Sequence, residues 1–195
     1  MTNIKSRLDK IKDIVESDSL YKQQSLGGEL NFHIFDYDPA DEMIVRNYVN
    51  DFIKNYSHTN SKIKPIVFDL FEMILELLDN EDVLNDAIEL EQQEGTEALF
   101  NATSEILKAN NFKELIKNKM DNHNLVLITG VGKSYPLVRS HTILNNLHSL
   151  LDKVPVIMFY PGMYDQKELS LFNGSRFDGL KDDNYYRAFR LIPNL

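Results

Sequence analysis

LVLITGVGKSYPLVRSHTILNNLHSLLDKVPVIMFY, residues 125–160, decides the fold. A strand over 125–129, opened by the apolar run Leu125–Ile128, passes through small and polar residues into a helix-periodic segment over 137–151. A second apolar run, VPVIMFY at 154–160, follows and is closed by a Pro161-Gly162 turn. Two buried strands joined by a helix of roughly 15 residues form a βαβ unit, whose strands are parallel and whose crossover is right-handed.

The same alternation extends outward in both directions. Ile4, Leu8, Ile11 and Val15 recur at helical spacing, so residues 3–17 predict an amphipathic helix that packs on its own sheet or on a partner. After a turn at Leu26-Gly27-Gly28, LNFHIFDYD predicts a strand. Asp38-Pro39 then reads as N-cap and first residue of a helix over 39–56, whose apolar face holds Ile44, Val45, Tyr48, Val49, Phe52, Ile53 and Tyr56. IKPIVFDL predicts a buried strand and 71–78 a helix. Two or three more helices fall within 82–120, capped at Thr96 and Asn111, the latter with Glu114 at capping-box spacing. YYRAFRLI predicts a last strand. The expected architecture is a single α/β domain spanning 1–195. It has three layers, a mainly parallel sheet of about four to five strands, and an extra helical segment at 71–120.

Gly130-Val131-Gly132-Lys133-Ser134 stands where a phosphate loop would place its last residues, and this is the one stretch that raises nucleotide chemistry. A full loop is G-x-x-x-x-G-K-[ST], with backbone N–H groups around the phosphates, Lys on the β/γ oxygens and the hydroxyl on Mg²⁺. The first glycine would fall at position 127, which is Leu127, within the strand. Only three residues separate the apolar run from Gly132, and Pro136 biases Tyr135 away from helical dihedrals. Gly130, Gly132, Lys133 and Ser134 therefore form a degenerate loop, with Asp36 or Asp69, at other strand ends, as the carboxylates available to a metal.

Other catalytic constellations are incomplete. His33, His58, His123, His141 and His148 include no i, i+4 pair for zinc and read as surface or cap histidines. Ser134 and Ser175 lack the G-x-S-x-G elbow. Glu89, Glu91, Glu94 and Glu97 read as a solvated helix face, and Asp165-Gln166-Lys167 as a polar loop. No catalytic residue, metal ligand or cofactor is assigned. Arg139, His141, Tyr160, Tyr164 and Arg187 fall near the C-terminal sheet edge, where open α/β folds bind ligands, and are residue types suited to interfaces. With Leu8 and Ile11 of the first helix they are the interaction candidates.

Composition narrows the partners. The 195 residues carry 21 basic and 30 acidic side chains, a net charge of -9, which opposes direct binding of nucleic acid. Without cysteine there is no disulfide framework or thiolate site. The polar, helix-periodic start and the absence of an apolar run of ~18 residues predict a cytoplasmic protein without a membrane span.

Three strings together, TGVGKSYPLVRSHTILNNL at 129–147, VPVIMFYPGMYDQKELSLF at 154–172 and YYRAFRLIP at 185–193, resemble the BrxB family of the bacteriophage exclusion (BREX) defence systems. The resemblance runs over nearly the whole chain. It implies a cytoplasmic accessory protein acting with a phosphatase-fold PglZ subunit, a BrxC-type ATPase and a PglX-type adenine-specific DNA methyltransferase. It supplies no catalytic residues to carry over. The expected role is thus a non-catalytic interaction subunit that docks PglZ and the ATPase and methyltransferase components. The alternative is a nucleotide-binding protein or weak NTPase built on GVGKS.

Overall fold

The structure, a computed structural model, describes residues 3–17, 20, 31–57, 61–147, 151, 154–165, 169–172 and 188–192. Its elements in chain order begin with α1 (Ile4–Glu16), β1 (Phe32–Tyr37), α2 (Glu42–Ser57) and β2 (Pro65–Asp69). Four helices follow, α3 (Leu70–Asn80), α4 (Leu84–Glu94), α5 (Thr96–Thr103) and α6 (Ala109–Met120). The chain continues through β3 (Leu125–Thr129), α7 (Val131–Ser134), α8 (Ser140–Leu147), β4 (Val156–Tyr164), β5 (Leu169–Leu171) and β6 (Phe189–Arg190).

The sheet order is β2-β3-β4-β1-β6, all parallel, with β5 antiparallel on the end of β4. Strand residues alternate between two cores. Phe32, Ile34, Val126, Ile128, Val156 and Met158 face the layer of α3, α6 and α8, while Phe35, Leu125, Leu127, Ile157 and Phe159 face α1 and α2. The steps from β2 to β3 to β4 move one way across the sheet with their helices on the first face. The step from β1 back to β2 moves the other way and carries α2 over the second. Right-handed crossovers in opposite directions require opposite faces, so chain order dictates the three layers.

A 13-residue helix such as α1 is marginal alone in water. It is held by burial of Leu8, Ile11 and Val15, each worth roughly 1.5–3 kcal/mol. Leu8 and Ile11 are 2% and 1% exposed, so they are core residues and offer no docking surface. Asp38 caps the next segment by accepting from the Ala40 N–H, starting a 3₁₀ turn over Pro39–Asp41 that leads into α2. Tyr37 ties the strand to that helix by donating to Glu42, which also holds Arg46. Burial, then the hydrogen bond to Glu42, raises the Tyr37 pKa.

Several expectations need correction. Pro161-Gly162 is not a turn: β4 runs through it to Tyr164, and Gly162 pairs with Leu171, where an added Cβ would lie 2.1 Å from the Ser170 carbonyl oxygen. This adds β5, a sixth strand. Thr96 is the first residue of α5, whose N-cap is Gly95, and Asn111 lies within α6, its amide donating back to the Ile106 carbonyl. His33 is no surface residue. It is 4% exposed, its ring N–H meets Asn31 Oδ1 at 2.8 Å, and Asn31 is fixed by donating to the Leu20 carbonyl. His123, by contrast, closes α6, its ring donating to the Met120 carbonyl. The turn expected at 26–28, most of the strand expected over 185–192, and His58 and His148 lie outside the described residues.

Burial pushes the His33 pKa down from 6.5 to about 4. Below pH 6.5 the unfolded chain therefore binds a proton that the folded chain refuses until about pH 4, so stability falls with pH across that window and is level above it. About 2 kcal/mol should be lost between pH 7 and pH 5 from this group. Urea unfolding at both pH values, wild type against His33→Gln, checks it: the variant should lose about that much less.

Candidate functional site at the C-terminal edge of the sheet

Strand C-termini in a parallel sheet converge on one edge, and here two charged clusters occupy it. The first is built on Asp69, last residue of β2. Its Oδ1 caps α3 by accepting from the N–H groups of Phe71 and Glu72, and its Oδ2 accepts from the Thr129 hydroxyl across the β2/β3 register. Lys133 Nζ lies 2.9 Å from the same Oδ2 and 3.8 Å from Glu72, and sits 5.5 Å from the centre of the Phe71 ring.

The GVGKS segment is therefore arranged for packing. Gly130 has φ +72°, and a Cβ there would lie 2.2 Å from Asp69 Oδ1, so both backbone and space demand glycine. α7 is a single turn. Ser134 is fully buried and donates to the Val131 carbonyl. Tyr135, held extended before Pro136, ends the turn, and Gly132 approaches Phe172 and Pro161. The hydroxyl that would hold Mg²⁺ faces the interior, and the lysine that would reach a phosphate is paired with two carboxylates. Among the described residues, no group of three or more His, Asp or Glu is placed to hold a metal ion.

The second cluster centres on Asp36 near the end of β1, 1% exposed. Its Oδ1 lies 3.1 Å from Arg7 Nη2 of α1. Its Oδ2 lies 2.8 Å from Arg190 Nη2 of β6 and accepts from the Tyr164 N–H of β4 at 3.2 Å. Arg7 also donates to the Ile192 carbonyl and stacks 4.7 Å from the centre of the Phe35 ring. Desolvation lowers the Arg7 pKa from its ordinary value, opposed by the charge and hydrogen bond of Asp36. Asp36, offered above as a metal carboxylate, is instead the counter-charge of two guanidiniums.

The interaction candidates are not brought together. Tyr160 and Tyr164 are buried, at 2% and 0%, with the Tyr164 hydroxyl donating to the Ala188 carbonyl, so neither presents a surface. Arg139 is exposed between α7 and α8, and His141 lies in the first turn of α8. Arg187 lies outside the described residues. A groove of about 620 Å³ between α1 and α2, lined by Asp9, Glu16, Tyr48, Phe52 and Tyr56 among others, shares no residue with either cluster. Arg7 and Arg190 escaped the sequence reading. Arg7 falls on the apolar stripe of α1, between Ile4 and Ile11, where a charge demands a buried partner. Helical spacing signals that need without naming Asp36.

Removing one member of a buried ion network costs about 3–5 kcal/mol, because the remaining charges lose compensation. Asp36→Ala should lower stability by that amount in urea unfolding, leaving two guanidiniums without a carboxylate. A loss below about 1 kcal/mol would show that water or another acid compensates them.

A family model described as BREX protein BrxB matches residues 66–191, which hold β2 to β6 and both charged clusters apart from Arg7 and Asp36. A BREX protein BrxB of Bacillus cereus (strain H3081.97) is 42% identical over 199 residues, covering 98% of this chain and 99% of the relative. A BREX protein BrxB of Escherichia coli O9:H4 (strain HS) is 30% identical over 190 residues, covering 96% and 91%. No solved structure matches the chain. With a family match over more than half of its length and relatives aligned nearly end to end, the chain belongs to the BrxB family and is a component of a BREX bacteriophage-exclusion system.

Proposed function

We propose that this BREX component is a non-catalytic accessory subunit that docks the PglZ-type phosphatase-fold protein and joins it to the ATPase and methyltransferase components. Family membership supports a role within a multi-protein system. The observation that carries the non-catalytic reading is the state of the one nucleotide-like motif: Lys133 is neutralised by Asp69 and Glu72, and Ser134 is turned into the core. The chemistry of the system then belongs to its partners, and this chain contributes surfaces. No helix among the described residues is long and apolar enough to cross a membrane, which is consistent with our reading of a cytoplasmic subunit.

Two measurements test this reading. Tagged protein, expressed with its neighbouring BREX genes, should co-purify with the PglZ-type subunit; a protein that stays solitary argues against docking. Calorimetric titration with ATP and Mg²⁺ should give no binding heat with wild type. Heat from wild type that vanishes in Lys133→Ala would establish the rival, a nucleotide-binding GVGKS segment.

A further inference from the structure

A parallel β-α-β crossover needs one helix, yet four stand between β2 and β3. α3 and α6 serve the core, burying Leu70, Met73, Ile74, Leu77 and Leu78 from one and Phe112 and Ile116 from the other. The α4–α5 hairpin gives that core a smaller share. It buries Ala87 from α4 and Leu99 and Thr103 from α5, the two helices pack on each other, and α4 leans on α3. Each helix leaves one large apolar side chain in water: Ile88 is 46% exposed and Phe100 40%.

Charge sets this element apart. Residues 65–107 contain 12 acidic and no basic or histidine side chains, whereas the rest of the chain has 21 basic and 18 acidic. Among the described residues no cation pairs with Asp86, Glu89, Glu94 or Glu97 of the hairpin, whereas Asp69, Glu76 and Glu105 of the same acidic stretch, which lie outside the hairpin, pair with Lys133, Lys119 and Lys108. Such a field repels nucleic acid, and it repels a second copy of the same face. Apolar anchors on helices whose charged residues are all acidic suit a protein surface of opposite sign, the charges steering approach and the anchors supplying affinity.

We propose that the α4–α5 hairpin is the docking element of this subunit, taken by a partner protein whose contact surface is basic and offers apolar pockets to Ile88 and Phe100. The proposal rests on the accessory-subunit reading and names the surface that performs it. Full-length protein is measured for binding to the purified PglZ-type, ATPase and methyltransferase subunits, at about 0.1 M and about 0.5 M salt, since exposed charges are screened at the higher value. Wild type should bind one of them, more weakly at high salt. Ile88→Ser and Phe100→Ser should each weaken binding about fivefold to a hundredfold. Glu89→Lys with Glu94→Lys should weaken it about tenfold or more and flatten the salt dependence. These charge changes are at exposed positions, and Glu94 sits at a helix C-terminus, where lysine favours the dipole, so circular dichroism and melting temperature should stay as in wild type. Wild-type binding that none of the variants weakens overturns the hairpin and leaves the accessory reading standing. Wild type that binds no subunit overturns both.

Discussion

A single buried carboxylate links parts of the chain that are far apart in sequence. Asp36 holds Arg7, 29 residues away in α1, and Arg190, 154 residues away in β6, and accepts the Tyr164 N–H from the neighbouring strand. Each guanidinium alone would be costly to desolvate, and the carboxylate alone equally so. Together they make the N-terminal helix, the central strand and the last strand energetically interdependent. β6 is only two residues long and has little ladder of its own, so its docking draws on the link to Asp36, on the Tyr164 and Arg7 bonds to the Ala188 and Ile192 carbonyls, on the Leu191 N–H bond to the Ile34 carbonyl, and on burial of Leu191 and Ile192.

The opposite half of the sheet repeats the device with a different purpose. Asp69 caps a helix, anchors Thr129 and neutralises Lys133, and its oxygens fill the space that any side chain at position 130 would need. The glycines of a phosphate loop and of a packed strand-to-helix turn look alike in sequence, because both require backbone freedom and close approach. What separates them is which groups the following helix turn leaves pointing outward. Here that turn points its hydroxyl inward and its lysine at a carboxylate. With the Asp36 and Asp69 clusters committed to internal pairing, the helical hairpin inserted between β2 and β3 still carries exposed carboxylates that no cation among the described residues pairs.

Helix and strand positions were legible because burial imposes periodicity. β3 occupies the residues expected, α1 and α2 match within a few, and Asp38 caps as its residue type predicts. The misreadings of Pro161-Gly162, the two tyrosines and His33 arise from tertiary packing. Pro161-Gly162 carries a turn's residue types within a strand because Gly162 must let β5 approach, a demand made by a segment several residues on. Tyr160 and Tyr164 looked like interface residues and His33 like a surface one. All three are buried, the Tyr164 hydroxyl reaching the Ala188 carbonyl and the Phe189 ring of β6 lying 6.1 Å from that of His33.

By itself, then, the sequence determined the three-layer α/β class, the parallel sheet and the family, since apolar period, turn residues and extended strings are local properties of a chain. It also held the acidic stretch over 65–107 in plain view. Only the tertiary structure decided which charges are spent and which are free. Asp36, Asp69, Lys133 and Arg7 are consumed in pairs, while Asp86, Glu89, Glu94 and Glu97 meet water. The reason is physical: an ion pair forms where two side chains are brought within a few ångströms, and that distance is set by how the layers pack.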